Sequence, residues 1–201
     1  MHVKAAATDH PVLEPLRDRW SPRAFASRPV PREDLLSLFE AARWAPSCYN
    51  DQPWFFIMAQ KADDKQYARL FECLLPGNQK WADSAPVLML SIARTTFSQS
   101  DKPNRHAMHD VGQAIAQFTV QAVSRGILVH QMAGFSQDKA RESFSIPENY
   151  EPVAAIALGY PGDPDTLPNE LKVMETTGRQ RRSLSEFVFK GPFGTAFDIL
   201  P

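Results

Sequence analysis

Cysteine is scarce in this chain: Cys48 and Cys73 are the only two in 201 residues. They supply neither a disulfide framework nor a metal-ligand spacing, so a reduced, cytoplasmic setting is expected. Glycine is sparse too, at 9 residues, and nowhere forms the glycine-rich turn of a Walker or dinucleotide fingerprint. Neither sign of charge is in excess: 22 Lys and Arg stand against 23 Asp and Glu, for a net charge of -1. That balance gives no reason to expect a nucleic-acid partner or an anionic membrane surface. No apolar run approaches the roughly 20 residues that span a bilayer. Met1 to Asp9 has no apolar h-region, so no secretory signal is expected. No Ser/His/Asp order with supporting motifs is present, and no metal cluster. What is abundant is proline, 17 residues, which makes stiff connections. The length suits one compact domain over residues 1–201.

Apolar spacing and caps outline the elements. Asp9-His10-Pro11 reads as a helix start, with proline in the first turn. Val30-Pro31 opens a helix carrying Leu35, Leu38, Phe39 and Ala42 on one face, ended by Pro46. Trp54 to Ala59 reads as a buried strand. Asp63 and Gln66 resemble a capping box for a helix that runs to Pro76-Gly77. Ala85 to Ala93 is a second buried strand, and Thr95 to His106 a polar, mobile surface loop. His109 to Arg125 is a helix apolar nearly all round, closed by Gly126, so it is expected at the centre or against a partner subunit. Ile127 to Gln131 and Val153 to Leu158 are strands, with a short helix capped by Ser136 between them. Gly162 to Thr177 reads as loop, and Glu186 to Phe189 as a last strand after an extended arm. The pattern predicts α+β: a central mixed, mainly antiparallel sheet surrounded by helices.

Two stretches carry the chemistry. Arg19-Trp20-Ser21-Pro22-Arg23 puts two guanidinium groups and a hydroxyl on one irregular segment. Arginine's planar fork suits phosphate oxygens. Ala45-Pro46-Ser47-Cys48-Tyr49-Asn50-Asp51-Gln52-Pro53-Trp54 is a turn-rich loop of small polar hydrogen-bonders that could lie against a flat heteroaromatic ring. Phosphate grip and ring cradle together suggest a phosphorylated planar cofactor, a description that flavin mononucleotide (FMN) fits.

These stretches, with Asp110-x-Gly112-x-Ala114, Met132-x-Gly134-Phe135, Ala157-Leu158-Gly159-Tyr160-Pro161 and Arg181-Arg182-x-Leu184-x-Glu186 in the same order, resemble the nitroreductase family of FMN-dependent oxidoreductases. The resemblance covers most of the chain. It implies an intertwined homodimer with FMN at the subunit interface, an exchanged C-terminal arm, and ping-pong reduction by NADH or NADPH of nitroaromatics, quinones or similar acceptors.

Residue by residue, the resemblance implies that Arg19, Ser21 and Arg23 hold the phosphate, with Arg179 and Arg181 closing it from the C-terminal side. Pro46, Ser47, Cys48, Asn50 and Gln52 match the loop that reaches the flavin from the second subunit. Asn and Gln amides both donate and accept, which suits a pyrimidine edge. Cys48 stands where serine is common, as a small packing residue. Tyr49 stands where a smaller residue often sits and would wall the substrate site. Lys80, accompanied by Asn78, matches a lysine that approaches the flavin N1/O2 edge, where a positive charge stabilises the reduced ring. Gln131, Met132, Ala133 and Gly134 match the segment beside the ring's reactive N5. His130 is a candidate acid; His106 and His109 take no role. No catalytic protein residue is expected, because the cofactor carries the hydride. Two other functions share this grip: a dehalogenating or flavin-fragmenting relative, and a flavin-binding redox module with little turnover.

Overall fold

A computed structural model describes residues 4–197. Four strands form one open sheet in the order β1-β2-β4-β3: β1 is Trp54–Gln60, β2 Val87–Arg94, β3 Leu128–Met132 and β4 Tyr150–Gly159. Every pairing is antiparallel, so the sheet is not mixed among the described residues. The fold class is α+β as expected.

β2 and β4 lie centrally and are covered on both faces, which is why their sequences read as nearly unbroken apolar runs. The period of two sends alternate residues to opposite layers. Leu88, Leu90, Ala155 and Ala157 pack with α3 (Asp64–Cys73) and α6 (Gln137–Phe144). Val87, Met89, Ile156 and Leu158 pack with α2 (Arg32–Arg43) and α5 (Ala107–Ser124). β1 departs from the buried strand expected: only Ala59 is buried, and Phe55 and Met58 are 41% and 36% exposed. It is an edge strand: its faces pack into both layers, through Ile57 and Ala59 on one side and Trp54 and Phe56 on the other, but one of its hydrogen-bonding edges has no partner strand among the described residues.

Several boundaries agree with their local signals. Asp63 caps α3 by accepting from the Gln66 N–H, one half of a capping box. Ser136 caps α6 through the Lys139 N–H. Gly126, at φ 71°, ends α5 in a Schellman turn, with the Gly126 N–H on the Val123 carbonyl and the Ile127 N–H on that of Ala122.

Other boundaries differ. The first helix, α1, is Glu14–Asp18 and does not start at Asp9. A start at Asp9 would bury Pro15 in the helix interior, where its missing N–H and its ring break the ladder; at Pro15's actual place in the first turn neither matters. Pro76 likewise does not end a helix but opens α4, Pro76–Ala82, after α3 has stopped at Cys73. The stretch read as loop over Gly162 to Thr177 contains α7, Asn169–Thr176, whose single buried residue is Glu175 and which therefore shows no apolar period. Glu186 to Phe189 is not a strand: Leu184–Glu186 is a single 3-10 turn boxed by Ser183 and Glu186, and Phe187 is 56% exposed. The loop from Thr95 to His106 is tightly bonded, with a bridge between Thr96 and Pro103 and a buried Asn104. No helix among the described residues is long and apolar enough to cross a membrane.

Candidate functional site

Two groups of the expected site residues form, at opposite edges of the sheet. The first gathers around residues 19–25. α1 ends at Asp18 with Arg19 as its C-cap, and the chain then lies against the end of β4: the Ala26 N–H donates to the Tyr160 carbonyl and the Gly162 N–H to that of Ala24. The approach is so close that a Cβ on Gly162 would sit 2.5 Å from the Phe25 carbonyl carbon. Glu175 of α7, 1% exposed, fixes the turn by accepting the Arg23 N–H at 3.0 Å and the Ala24 N–H at 3.2 Å.

Arg19, Arg179 and Arg181 line one cavity of about 270 Å³. Arg179 bridges the carbonyls of Arg17 and Arg19, and its Nε is buried without a partner. The Arg19 guanidinium donates to Ser21 Oγ at 3.4 Å. None of the described ion pairs involves Arg19, Arg23, Arg179 or Arg181. Burial, and then the Arg181 charge, pull Arg19 below its usual pKa. Burial, and then Arg19 and Arg181, do the same to Arg179. No carboxylate lines the cavity; the nearest, Asp18, offsets Arg179 only in part and is already paired with Arg17, so the three crowded cations make a cavity complementary to a multiply charged anion. Arg23 does not line it; its charge faces Lys4 and His130 instead.

A column of rings joins this segment to β3. Phe25 stacks on Trp81 at 6.4 Å, and Trp81 on His130 at 4.5 Å. His130 Nδ1 lies 2.7 Å from the Pro22 carbonyl and so carries the proton there. Beyond His130, Gln131 and Ala133 are exposed while the Met132 side chain is buried. Asn78 does not stand free toward a ligand: its amide donates to the Gly134 carbonyl at 2.9 Å, and a Cβ at Gly134 would meet that amide at 2.6 Å. Lys80, exposed in the last turn of α4 beside Trp81, makes no described hydrogen bond or ion pair. The Arg19 segment, the α4 turn that carries Lys80, and Gln131 to Gly134 are thus linked through these contacts.

His130 is not an acid at neutral pH. Burial first, then the Arg23 and Arg19 charges, lower its pKa from 6.5 to about 4 against the opposing Pro22 hydrogen bond. Its folded form stays neutral while the unfolded chain protonates below 6.5, so stability is full above 6.5 and falls as pH drops toward 4. Between about pH 7.5 and about pH 4.5 this single group removes roughly 2–3 kcal/mol. Urea denaturation of His130→Gln should show a smaller loss than wild type over that range, by about that amount. Identical pH dependence in the two proteins would refute it.

The second group is the loop from Pro46 to Pro53, ahead of β1. Tyr49, Asn50 and Gln52 have φ of 53°, 55° and 50°, a left-handed backbone that costs a residue with a side chain on the order of 1 kcal/mol or more. Bonds from around the loop hold it. The Cys48 N–H donates to Asp110, itself 2% exposed, at 2.9 Å, and the Gln52 N–H to Ser47 Oγ at 3.1 Å. Asp51, its side chain 4% exposed, accepts from Arg94 at 3.1 Å and from the Ser98 N–H and Oγ at 2.8 and 2.7 Å. The Gln52 amide donates to Asn50, and both side chains border a cavity of about 360 Å³ with Pro46's neighbour Ala45 and with Trp44. No base is bonded to the Cys48 thiol among the described residues.

β1 and β3 are separated by β2 and β4, three strand spacings or roughly 14 Å. No described hydrogen bond joins the loop to the Arg19 or β3 group. Sequence reasoning missed Glu175, Trp81, Asp51 and Asp110. Asp51 lies inside one recognisable motif and Asp110 inside another; Glu175 gave no signal.

A solved structure described as an oxidoreductase containing FMN is 35% identical to this chain, covers 97% of it and 99% of its own length, and superposes with a TM-score of 0.89. A nitroreductase family protein from Clostridium difficile is 25% identical, with 92% and 100% covered and a TM-score of 0.71. Among curated proteins, the FMN reductase (NAD(P)H) of Bacillus subtilis is 27% identical over 170 residues, 76% of this chain and 66% of that protein. The nitroreductase family model matches residues 16–160, from α1 through the last strand, and the chain belongs to the nitroreductase family.

Proposed function

We propose that the protein is an FMN-dependent oxidoreductase that takes electrons from NADH or NADPH and passes them to quinones, nitroaromatics or similar acceptors. The observation that carries this reading is the cavity of Arg19, Arg179 and Arg181, uncompensated by any described ion pair and braced to the end of β3 by the Phe25–Trp81–His130 column. A flavin phosphate fits the charge, the number of donors and the orphaned Arg179 Nε. Arg181 has more free N–H groups to offer than Arg179, whose terminal nitrogens already brace two carbonyls.

When bound, FMN supplies a two-electron carrier, and the chain's residues bind it, orient it and tune it. Lys80 puts an unpaired cation at the rim of the same group, suited to offset negative charge on the reduced ring. Gln131 to Gly134 offers edge-strand backbone N–H groups, with Asn78 fixing the Gly134 carbonyl. Neutral His130 works as a wall. Pro46, Ser47, Cys48, Asn50 and Gln52 would complete the ring's surroundings from a second subunit, because their own β1 edge lies across the sheet from β3. The exposed face of α5, with Met108 42% exposed, and exposed Phe187 on the C-terminal arm support such a homodimer. One site filled in turn by nicotinamide and acceptor gives ping-pong kinetics.

Sedimentation of the purified protein, followed at the flavin absorption band, tests cofactor and assembly together. The expected result is a dimer that carries the yellow colour, releases FMN and not FAD on denaturation, and bleaches with NAD(P)H. Colourless protein that binds no added FMN would sink the reading.

A further inference from the structure

The loop between β2 and α5 belongs to neither group of the candidate site, yet it is bonded to the Pro46–Pro53 loop more firmly than to anything else. Asp51 is the junction. Its buried carboxylate takes the Ser98 N–H and hydroxyl, the Arg94 guanidinium and, at 3.4 Å, the Asn104 amide. The loop itself is a closed turn: the Phe97 N–H donates to the Lys102 carbonyl at 2.8 Å and the Asp101 N–H to that of Phe97 at 3.0 Å. Through this junction the Phe97 ring meets Tyr49 edge-on, with centroids 5.9 Å apart. Tyr49 is 89% exposed, so the contact buries little of it. Three left-handed residues and a four-donor carboxylate are an expensive way to hold an exposed ring, and core packing does not require it. Strain kept by a buried network at a surface corner is the mark of a site held ready for a ligand.

We propose that Phe97 is a specificity-determining residue of the acceptor site, forming an aromatic corner with Tyr49, and that Asp51 is the residue that positions both. The corner takes a flat aromatic acceptor, since two rings at an interplanar angle of 71° offer one face and one edge to a third. A compact, non-planar acceptor has nothing to gain there. The proposal rests on the reductase reading above, which puts the Tyr49 loop at the flavin.

The test uses the flavin-loaded dimer as wild type, Phe97→Leu and Asp51→Asn, with menadione as the flat acceptor and ferricyanide as the compact one. Binding of menadione to the oxidised protein without reductant is measured first, and turnover with each acceptor second. Phe97→Leu is expected to raise the menadione Kd and KM by about tenfold, while the ferricyanide KM moves less than about threefold. Asp51→Asn is expected to do the same and, in hydrogen exchange, to speed residues 47–52 and 95–104 together. Equal changes for both acceptors, or none for either, would overturn the proposal. So would flavin loss in Asp51→Asn accompanied by wild-type selectivity in Phe97→Leu. A wild type that reduces neither acceptor would overturn the reductase reading and this proposal with it.

Discussion

Replacing Arg19 and Arg179 together by alanine is expected to give a folded protein that purifies without colour. Each guanidinium lost from a phosphate costs roughly 1.5–3 kcal/mol, or about tenfold to 150-fold in affinity. The two losses will not simply add, because both side chains line one cavity and repel each other across it. The same repulsion gives the experiment its control. Relief of that repulsion works against the loss of Arg179's bonds to the Arg17 and Arg19 carbonyls, so the flavin-free variant should stay folded and close in stability to flavin-free wild type. Added inorganic phosphate should raise the melting temperature of flavin-free wild type and not of the variant. Arg19→Lys keeps the charge and loses the fork, and should fall between. A double variant that binds FMN as wild type does would show that the cavity is not the phosphate site.

Glu175→Ala is expected to damage fold and cofactor binding alike. The carboxylate is buried and accepts the N–H groups of Arg23 and Ala24. Alanine leaves two donors unsatisfied at roughly 1–3 kcal/mol each, so a total loss of about 2–6 kcal/mol is expected. At this chain length that lowers Tm by about 5–15 °C. Glu175→Gln keeps one accepting oxygen and should cost about half as much. The backbone that loses its anchor runs straight from Arg19 to Phe25, so FMN affinity should fall with stability, although Glu175 lines no cavity with Arg19. Thermal melts with and without FMN separate the two effects. An alanine variant within about 1 kcal/mol of wild type would mean that water takes over both donors.

Elements with a strong local code are legible in the chain alone. β2 and β4 can be read from apolar runs, α2 from its period, and the ends of α5 and α6 from Gly126 and Ser136, because each depends on neighbours a few residues away. The motifs around Arg19 and Asn50 are legible for the same reason: the relevant donors lie within one short segment. Proline is legible only as a boundary. Whether Pro15 and Pro76 stop or start a helix depends on the helix-forming residues after them, and both start one.

How the motifs combine is set by the tertiary fold. Arg179 reaches Arg19 across 160 positions, and Glu175 reaches Arg23 across 152. No periodicity records such distances, since α7 buries one charged residue and no apolar stripe. Asn78 looks like a ligand group in the sequence, and the fold turns its amide onto Gly134. His130 looks like an acid until burial under Trp81 and the Arg23 and Arg19 charges keep it neutral, against the pull of its hydrogen bond to Pro22. Strand order has the largest effect. It sends β1 and β3 to opposite edges, and so parts the loop ahead of β1 from the group around Arg19 and β3, although the two motifs lie only about two dozen residues apart in the chain. Pairing is settled by long-range hydrogen bonds and by which faces the helices cover, and neither is written in any local stretch of sequence.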